Sequence, residues 1–259
     1  MSERVAVITG SGAGLGKGIA QRLAKDGFKI VISDIHEDTA ENTAKELQDE
    51  GYEATYFVGD VSKREDQFDL VAHAVDAYGR LDVFINNAGV EGIKPLAQVD
   101  EETFDKMVAI NVKGVLWGIQ AATEQMKKQN KDRIYKVINA CSIAGHESYD
   151  LLGIYSMTKH AVRSLTQSAA KEYAEAGITV NAYCPGVAGT EMWDRIDAEM
   201  AKYNGNAPGE TFEQFSSSIL MGRSQEPEDV AGLVSYLASE DSDYMTGQAI
   251  LIDGGMVMR

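Results

Sequence analysis

The sequence predicts an α/β fold with a doubly wound, mostly parallel sheet and helices on both of its faces. Three observations support this prediction. Short runs rich in Val and Ile alternate with amphipathic segments, the early runs are nearly continuous in apolar residues, and glycines mark many of the joints. Continuous apolar runs are typical of parallel strands buried on both faces. Their alternation with helical segments indicates right-handed crossovers.

Seven segments have the apolar composition of strands, and they cover residues 5–8, 29–33, 54–58, 83–86, 137–140, 179–183 and 249–252. Amphipathic helices are predicted at residues 16–26, 39–50, 63–78, 155–176 and 227–239. The first four helices stop immediately before Gly27, Gly51, Gly79 and Gly177. A glycine just past the last helical residue is a common left-handed cap, so the four stops support each other.

One segment interrupts this alternation. Residues 192–221 carry two short helical stretches around the loop 204–209, so we place an insert at about 190–221 in a single domain that covers residues 1–259. In an α/β fold such an insert lies over the carboxyl ends of the strands, where ligands bind. We interpret it as a substrate lid, with a surface excursion of no function as the alternative.

Composition excludes several classes of partner. The formal net charge of −16 disfavours binding to nucleic acid and to anionic membranes. No apolar run approaches the roughly 20 residues that span a bilayer, and the first residues lack a signal-peptide pattern, which predicts a cytoplasmic protein. Cys141 and Cys184 lie in apolar stretches without a second ligand at zinc-like spacing. We expect two reduced core thiols and no metal, with a disulfide or metal pair as the alternative.

A glycine-rich turn, TGSGAGLG, follows the first predicted strand. The spacing GxxxGxG fits from Gly10 and also from Gly12, and we choose Gly10 because it is the first glycine after the strand. Such glycines permit a tight turn and close approach of a pyrophosphate to the start of the next helix. The turn therefore predicts a dinucleotide site, whose candidate contacts are Gly10, Gly12, Gly14, Leu15 and Gly16.

The second predicted strand leads into Asp34 and Ile35. A carboxylate here accepts hydrogen bonds from an adenosine ribose 2′-hydroxyl and repels a 2′-phosphate. Residues 30–36 contain no Arg or Lys, so we predict NAD(H) rather than NADP(H), with Asp34 as a simple turn residue being the alternative. The loops after the third and fourth predicted strands contain Asp60, Val61, Asn87, Ala88 and Gly89. We expect these residues to line the adenine and the nicotinamide ribose, with ordinary loop positions as the alternative.

Reduction of a ketone by hydride also needs a proton donor. No histidine has a triad-like neighbourhood, so packing or surface roles are expected for His36, His73, His146 and His160, with His146 alone near a candidate site. Tyr155 is followed four residues later by Lys159, and on a helix the two side chains lie on one face. An ammonium about 5 Å away favours a phenolate by roughly 3 kcal/mol at an effective dielectric of about 20. We therefore expect Lys159 to lower the pKa of Tyr155.

Two further residues complete this candidate catalytic set. Ser142 ends the fifth strand, and its hydroxyl is placed to donate to a substrate carbonyl oxygen. Asn111, in the stretch AINVKG, is expected to bend its helix locally and to hold a water that relays protons to Lys159.

The combination resembles the short-chain dehydrogenase/reductase family over the whole chain. The resemblance implies a Rossmann domain with a seven-stranded sheet, commonly a homotetramer, and a catalytic tetrad of Asn111, Ser142, Tyr155 and Lys159. It makes Tyr155 the acid/base, Lys159 its tuning cation and a ribose ligand, Ser142 the group that polarises the substrate, and Asn111 the support of the relay. It implies carboxamide contacts from Pro185, Gly186, Ala188 and Thr190.

Several stretches, among them KGVLWGIQAA (113–122), NACSIAGH (139–146) and TVNAYCPG (179–186), resemble more closely the diacetyl/acetoin reductases, also called 2,3-butanediol dehydrogenases. That resemblance implies NADH-dependent reduction of diacetyl to acetoin and of acetoin to butanediol. Ile143, Tyr149 and Trp193 are then expected to line a small substrate pocket. An apolar Ile143 with an aromatic Tyr149 resembles the L-type enzymes, which implies S-selectivity.

Two alternatives stay open at this point. The first is a related reductase that acts on another small ketone, a sugar alcohol or an acyl thioester. The second belongs to another class, a non-catalytic NAD-sensing protein, which the pairing of Tyr155 with Lys159 disfavours because binding alone does not need it.

Overall fold

The computed structural model describes residues 4–130 and 133–259. Its sheet has the order β3-β2-β1-β4-β5-β6-β7, and every pairing between neighbouring strands is parallel. This confirms the predicted fold class. The strands are β1 (Arg4–Thr9), β2 (Phe28–Asp34), β3 (Ala54–Val58), β4 (Val83–Asn86), β5 (Tyr135–Ala140), β6 (Ile178–Pro185) and β7 (Ala249–Ile252).

Helices connect these strands on both faces of the sheet. They are α1 (Gly14–Lys25), α2 (Glu37–Asp49), α3 (Arg64–Tyr78), α4 (Glu101–Val108), α5 (Gly114–Lys128), α6 (Gly153–Tyr173), α7 (Glu191–Asn204), α8 (Glu210–Ser217) and α9 (Pro227–Ala238). Within residues 4–130 and 133–259, none is long and apolar enough to cross a membrane. The sequence predicted α7 and α8 as two short stretches, but it set no bounds for α4 and α5.

The core has two apolar layers, one on each face of the sheet. Along β1, Val5 and Val7 point into the layer covered by α3, α5 and α6, whereas Ala6 and Ile8 point into the layer covered by α1, α2 and α9. All four side chains are fully buried. Burial on both faces explains why this strand is continuously apolar in sequence.

The four predicted glycine caps are confirmed. Gly27, Gly51, Gly79 and Gly177 have φ values of +87°, +91°, +80° and +74°, in the left-handed region that glycine adopts without steric cost. Gly27, Gly51 and Gly79 follow α1, α2 and α3, whereas Gly177 follows a 3₁₀ turn, Ala174–Ala176, that extends α6.

Strand β5 begins two residues before the predicted start. The prediction began too late because the sequence there contains a lysine, which is unusual in a buried strand. Lys136 is 3% exposed, and its Nζ donates to Asp243 Oδ1 at 2.6 Å and to Ser242 Oγ at 3.2 Å. Burial lowers the pKa of this lysine, and the Asp243 carboxylate opposes that shift. A charged residue thus occupies a buried strand position because the chain supplies its counter-ion.

The order of the strands reverses between β1 and β4, and the loops that follow these two strands therefore diverge. In doubly wound sheets a ligand crevice forms at such a point, beyond the carboxyl ends of the strands. The glycine turn follows β1 and the Asn87–Gly89 segment follows β4, so both candidate cofactor segments flank this crevice.

Candidate active site

The glycine turn after β1 packs closely against the loop after β4. Gly10 has φ +60°, and a Cβ placed on it would lie 2.8 Å from the Cα of Ala88. A Cβ on Gly16 would lie 2.3 Å from the Gly10 carbonyl oxygen and 2.5 Å from Asn87 Nδ2. Side chains are therefore excluded from both positions. Gly12 is also enclosed, since a Cβ there would lie 2.5 Å from Thr39 Oγ1, so the choice of Gly10 depends on its place directly after β1.

The start of α1 fits a pyrophosphate. Gly14 has φ +55°, and among the described residues a Cβ there would meet Thr190 Cγ2 at 4.0 Å and nothing nearer. The preceding residue, Ala13, caps the helix without a side-chain hydrogen bond, and the first turn carries no acidic residue. Exposed glycine backbone next to unpaired helix N–H groups is the arrangement that binds phosphate oxygens. Leu15 points the other way and packs against the core.

A hydrogen-bond brace fixes this turn relative to β4. Thr9 Oγ1 accepts the backbone N–H groups of Asn87 and Ala88 at 3.0 and 3.1 Å. The Asn87 amide donates to the carbonyl oxygens of Thr9 and Gly10 and accepts from the Tyr183 hydroxyl at 2.8 Å. The side chain of Asn87 is therefore engaged within the chain. The sequence analysis missed Tyr183, because a tyrosine inside a buried strand carries no motif.

Asp34 lies at the end of β2 beside the glycine turn. Its Oδ2 accepts the N–H of Gly12 at 3.0 Å, and its Oδ1 accepts the N–H of His36 at 3.2 Å. These bonds hold the carboxylate at the edge of the crevice next to Ile35, which is 58% exposed. A hydrogen-bonded acidic group in this position fits a ribose hydroxyl.

Asp60 and Val61 occupy the loop after β3. Asp60 Oδ1 accepts from the backbone N–H and the hydroxyl of Ser62 at 3.0 and 2.7 Å, which leaves Oδ2 as the atom to offer a ligand. Val61 lies against the start of α5, since a Cβ on Gly114 would be 3.1 Å from its Cγ2.

Asn111 is buried within a π-helical turn, Ala109–Lys113, between α4 and α5. This turn is a local departure from α-helical geometry at the place where a bend was predicted. Asn111 Oδ1 accepts from Val90 N at 2.8 Å, and its Nδ2 donates to Val90 O at 2.8 Å and to Thr158 Oγ1 at 3.1 Å. Each polar atom of the side chain thus already has a partner in the chain. Its contribution to a proton relay stays a prediction.

Lys159 is 5% exposed, and its Nζ donates to the carbonyl oxygen of Ala140 at 2.9 Å. It lies 5.5 Å from the centre of the Tyr155 ring, as the shared helix face predicts. A Cβ on Gly89 would be 3.6 Å from this ammonium and 3.3 Å from Asn111 Oδ1. The loop after β4 therefore meets two of the predicted catalytic residues, and its glycine lets them approach.

Ser142 and Tyr155 meet at the end of β5. Ser142 Oγ accepts the N–H of Ala144 at 3.1 Å, so its own proton is available to another acceptor. Burial raises the pKa of Tyr155 above its ordinary value, and a hydrogen bond with Ser142 opposes this.

The predicted lowering of the Tyr155 pKa by Lys159 is therefore wrong for the chain alone. The lysine is itself buried, which lowers its own pKa, and desolvation of the phenol dominates.

The four histidines lie at surface or packing positions, as predicted, and His36 and His160 are exposed. His36 precedes α2, His73 Nε2 lies 3.3 Å from Thr55 Oγ1, and His160 Nδ1 lies 2.9 Å from the Ser156 carbonyl oxygen. His146 Nε2 lies 3.4 Å from Cys184 Sγ, so this ring contacts a core thiol. Cys141 and Cys184 are buried free thiols.

Two of the three predicted pocket residues cluster with Tyr155. Tyr149 and Trp193 pack with it around a buried apolar group that comprises Ile93, Leu152, Ile196 and Met200. Ile143 is buried next to Ser142 in the chain but is not part of this cluster. A cavity of about 290 Å³ shares Tyr149 and Phe215 with the cluster.

The sequence analysis missed two phenylalanines of α8. Phe215 lies 5.2 Å from Trp193 and 6.3 Å from Tyr149 between ring centres, and Phe212 lies 5.9 Å from Trp193. Their three-residue spacing on a short helix was the available signal, because it places both on one face.

The segment after β6 approaches the glycine turn. Pro185 ends β6. Gly186 packs against Asp253, since a Cβ placed on Gly186 would lie 2.9 Å from the Asp253 Cβ. Ala188 pairs with Gln225, and the N–H of Thr190 donates to the Ala188 carbonyl oxygen at 2.8 Å. Thr190 then caps α7, so the predicted carboxamide residues and the predicted lid are adjacent.

Comparison with known proteins agrees with this arrangement. The sequence model of the short chain dehydrogenase family matches residues 4–201. A diacetyl reductase ((S)-acetoin forming) of Staphylococcus epidermidis is 60% identical over 257 residues, which covers 99% of both chains. An L-2,3-butanediol dehydrogenase of Corynebacterium glutamicum is 46% identical over 98% of both chains.

Among solved structures, a gluconate 5-dehydrogenase of Burkholderia cenocepacia in complex with NADP and tartrate superposes with a TM-score of 0.88. It is 30% identical, and the match covers 99% of this chain and 96% of that one.

Proposed function

This chain belongs to the short-chain dehydrogenase family, and from that premise we propose that it reduces diacetyl to acetoin and acetoin to 2,3-butanediol, reversibly, with NADH. The chain is an oxidoreductase of this family, which sets aside a purely NAD-sensing role. The observation that carries the choice of substrate is the enclosure of Tyr155, beside Ser142, by Tyr149 and Trp193. Such a site suits a small dicarbonyl, whose only strong handles are its oxygens.

In this proposal Ser142 and Tyr155 both act on the reacting oxygen. Ser142 Oγ is held by the Ala144 N–H and directs its proton toward the substrate carbonyl, which stabilises the developing negative charge. Tyr155 then donates its phenolic proton to the alkoxide. Because burial raises the pKa of Tyr155, the phenol is protonated at neutral pH, which is the form that reduction requires. The reverse reaction requires the phenolate and is therefore favoured at higher pH.

Lys159 and Asn111 support this proton transfer in the proposal. The Lys159 ammonium is anchored by the Ala140 carbonyl oxygen, and within the described part of the chain its other N–H groups are free to bind ribose hydroxyls. Asn111 joins the loop at Val90 to α6 through Thr158, whose hydroxyl donates to the Tyr155 carbonyl oxygen at 2.7 Å. Asn111 therefore fixes the helical turn that presents Tyr155.

The residues present fit a nicotinamide dinucleotide. We infer that the turn from Gly10 to Gly16 holds the pyrophosphate, that Asp34 binds the adenosine ribose, and that Asp60 and Val61 border the adenine. The segment from Pro185 to Thr190 faces the carboxamide. The bound cofactor supplies the hydride.

We expect Asp34→Ser to weaken the preference for NADH over NADPH. Loss of a charged hydrogen-bond acceptor costs about 1.5–3 kcal/mol, so kcat/KM with NADH should fall about tenfold or more. The value with NADPH should rise, because the carboxylate no longer repels the 2′-phosphate. Steady-state kinetics with both coenzymes measure the change.

Asp38→Ser is the matched control, since this exposed aspartate lies four residues later on α2. It should leave the ratio of the two kcat/KM values unaltered. An unaltered ratio in Asp34→Ser as well would contradict the assignment of Asp34 to the ribose.

A substrate screen tests the proposed function itself. Oxidation of NADH should be fastest with diacetyl and acetoin, and slow or absent with a ketose or an acetoacetyl thioester. We expect (S)-acetoin from diacetyl, because an apolar Ile143 with an aromatic Tyr149 resembles the L-type enzymes, and the 60% identical relative is described as (S)-acetoin forming. Chiral gas chromatography identifies the product, and (R)-acetoin would reject the stereochemical assignment. A clear preference for the ketose or thioester would reject the substrate class.

Two features of organisation belong to this proposal. We infer that the segment at about 190–221 is a substrate lid on one catalytic domain, because Trp193 and Phe215 lie on it and contact the Tyr155 cluster. We also propose a homotetramer, as the family resemblance implies. Light scattering coupled to size-exclusion chromatography measures the assembly.

A further inference from the structure

Asp197 joins the two helices of the lid. It lies in the middle of α7 and is 7% exposed. Its Oδ2 accepts the N–H of Gly209 at 2.6 Å, and its Oδ1 accepts the N–H of Phe212 at 3.0 Å. Both donors belong to the start of α8. The carboxylate of one lid helix therefore binds the amino end of the other.

The start of α8 depends on this carboxylate because its own capping residue has no side chain. Gly209 precedes the helix with φ +87° and makes no side-chain cap bond. The first N–H groups of a helix need acceptors, and a negative charge near them is stabilising. Asp197 supplies both from a neighbouring helix, through charge-assisted hydrogen bonds.

Thr211 makes a second connection across the same joint. It is 1% exposed, and its Oγ1 accepts the side-chain amides of Asn204 and Asn206 at 3.2 and 3.1 Å. The connection between α7 and α8 is thereby held on both sides. We call Asp197 and Thr211, with the bonds that they accept, the lid latch.

The lid latch determines where two aromatic rings lie. Helix α8 packs mainly against α7. It places Phe212 and Phe215 within 5.9 and 5.2 Å of Trp193, and Phe215 within 6.3 Å of Tyr149. Trp193, Tyr149 and Phe215 belong to the apolar cluster that contains Tyr155. Displacement of α8 would therefore remove one wall of the substrate pocket without moving Ser142, Tyr155 or Lys159.

We propose that Asp197 is a positioning residue that sets the affinity for the ketone by fixing α8 over the pocket. This inference rests on the proposed function of the site. The proton-transfer residues and the glycine turn are on other elements, so loss of the latch should raise KM for diacetyl about tenfold. In the same variants kcat and KM for NADH should change less than about threefold, because the missing interaction is one of substrate binding.

Asp197→Asn is the decisive variant because it keeps the volume of the side chain. In either orientation of its amide, an NH₂ group faces one of the two backbone N–H donors. If the two acceptor oxygens matter, Asp197→Asn should raise KM as much as Asp197→Ala. If packing alone matters, Asp197→Asn should behave like the parent, which would overturn the proposal. Asp194→Asn, at an exposed position of the same helix, is the matched control.

A fluorescence measurement tests the latch independently of catalysis. The chain has two tryptophans, Trp117 and Trp193, so a Trp117→Phe background makes Trp193 the single reporter. We expect acrylamide to quench Trp193 more strongly after Asp197→Asn than in the background protein, and no change after Asp194→Asn. Unchanged quenching would overturn the proposal even if KM rises. Because no substrate is present, this result stands even if diacetyl proves not to be reduced.

Thr211→Val provides a second route if the Asp197 variants fold poorly. It removes the acceptor for Asn204 and Asn206 and keeps the shape of the side chain. We expect a smaller rise of KM in the same direction, with stronger quenching of Trp193 and a nearly unchanged kcat. A fall of kcat with an unchanged KM would contradict a positioning role.

Discussion

Replacement of Tyr155 by phenylalanine is expected to lower kcat/KM for the reduction of diacetyl by about 10²–10⁴-fold, the usual contribution of a positioned general acid. The ring stays packed with Tyr149 and Trp193, so the substrate pocket keeps its shape. What disappears is the proton donor beside Ser142. Steady-state oxidation of NADH measures the rate, and titration of NADH fluorescence measures coenzyme binding, which should change little.

The control for this variant lies on the same helix. Tyr173→Phe removes a hydroxyl from the last residue of α6, where the ring packs against the core and beneath the Lys127 ammonium at 5.2 Å. It should retain the activity of the parent protein. If Tyr155→Phe also retained that activity, another group would have to supply the proton, and the catalytic assignment of Tyr155, Lys159 and Ser142 would fail.

Much of the scaffold was predictable because it follows from local rules. Strands β1 and β2 show continuous apolar runs at residues 5–8 and 30–32, which are buried on both faces, and the glycines at 27, 51, 79 and 177 follow helical segments where a left-handed residue is needed. Lys136 shows the limit of this reasoning. Its place in β5 depends on Asp243, more than one hundred residues away, and a local pattern cannot supply that partner.

The candidate site divides in the same way. The residues that make up the site could be predicted, because the carboxyl ends of parallel strands meet at one edge of the sheet and because Tyr155 and Lys159 lie one helical turn apart. The direction of the Tyr155 pKa could not, because it depends on how far the fold removes the phenol from water. Nor could the partners of Asn87 and Asp197, since both bind backbone groups that only the tertiary structure brings near.

Gly16→Ala is expected to be the most damaging methyl addition in the glycine turn. The new Cβ would lie 2.3 Å from the Gly10 carbonyl oxygen and 2.8 Å from the Ser11 Cα, both of them backbone atoms that a side-chain rotation cannot move. Such overpacking costs about 1–3 kcal/mol of stability. A displaced turn should also lower kcat/KM with NADH by about 10²-fold. Thermal unfolding and coenzyme kinetics measure the two effects.

Gly232→Ala separates this steric effect from the general effect of adding a methyl group. Gly232 lies within α9, and a Cβ there would approach the tip of the Arg22 side chain at 3.9 Å, an ordinary contact. Alanine in a helix interior is favoured over glycine by about 1 kcal/mol, so this variant should unfold at a higher temperature and keep its NADH kinetics. If Gly16→Ala also kept its stability and its NADH kinetics, the turn would accommodate a side chain at a position where neighbouring backbone atoms should exclude one. The motif would then have to be placed elsewhere than on Gly10, Gly14 and Gly16.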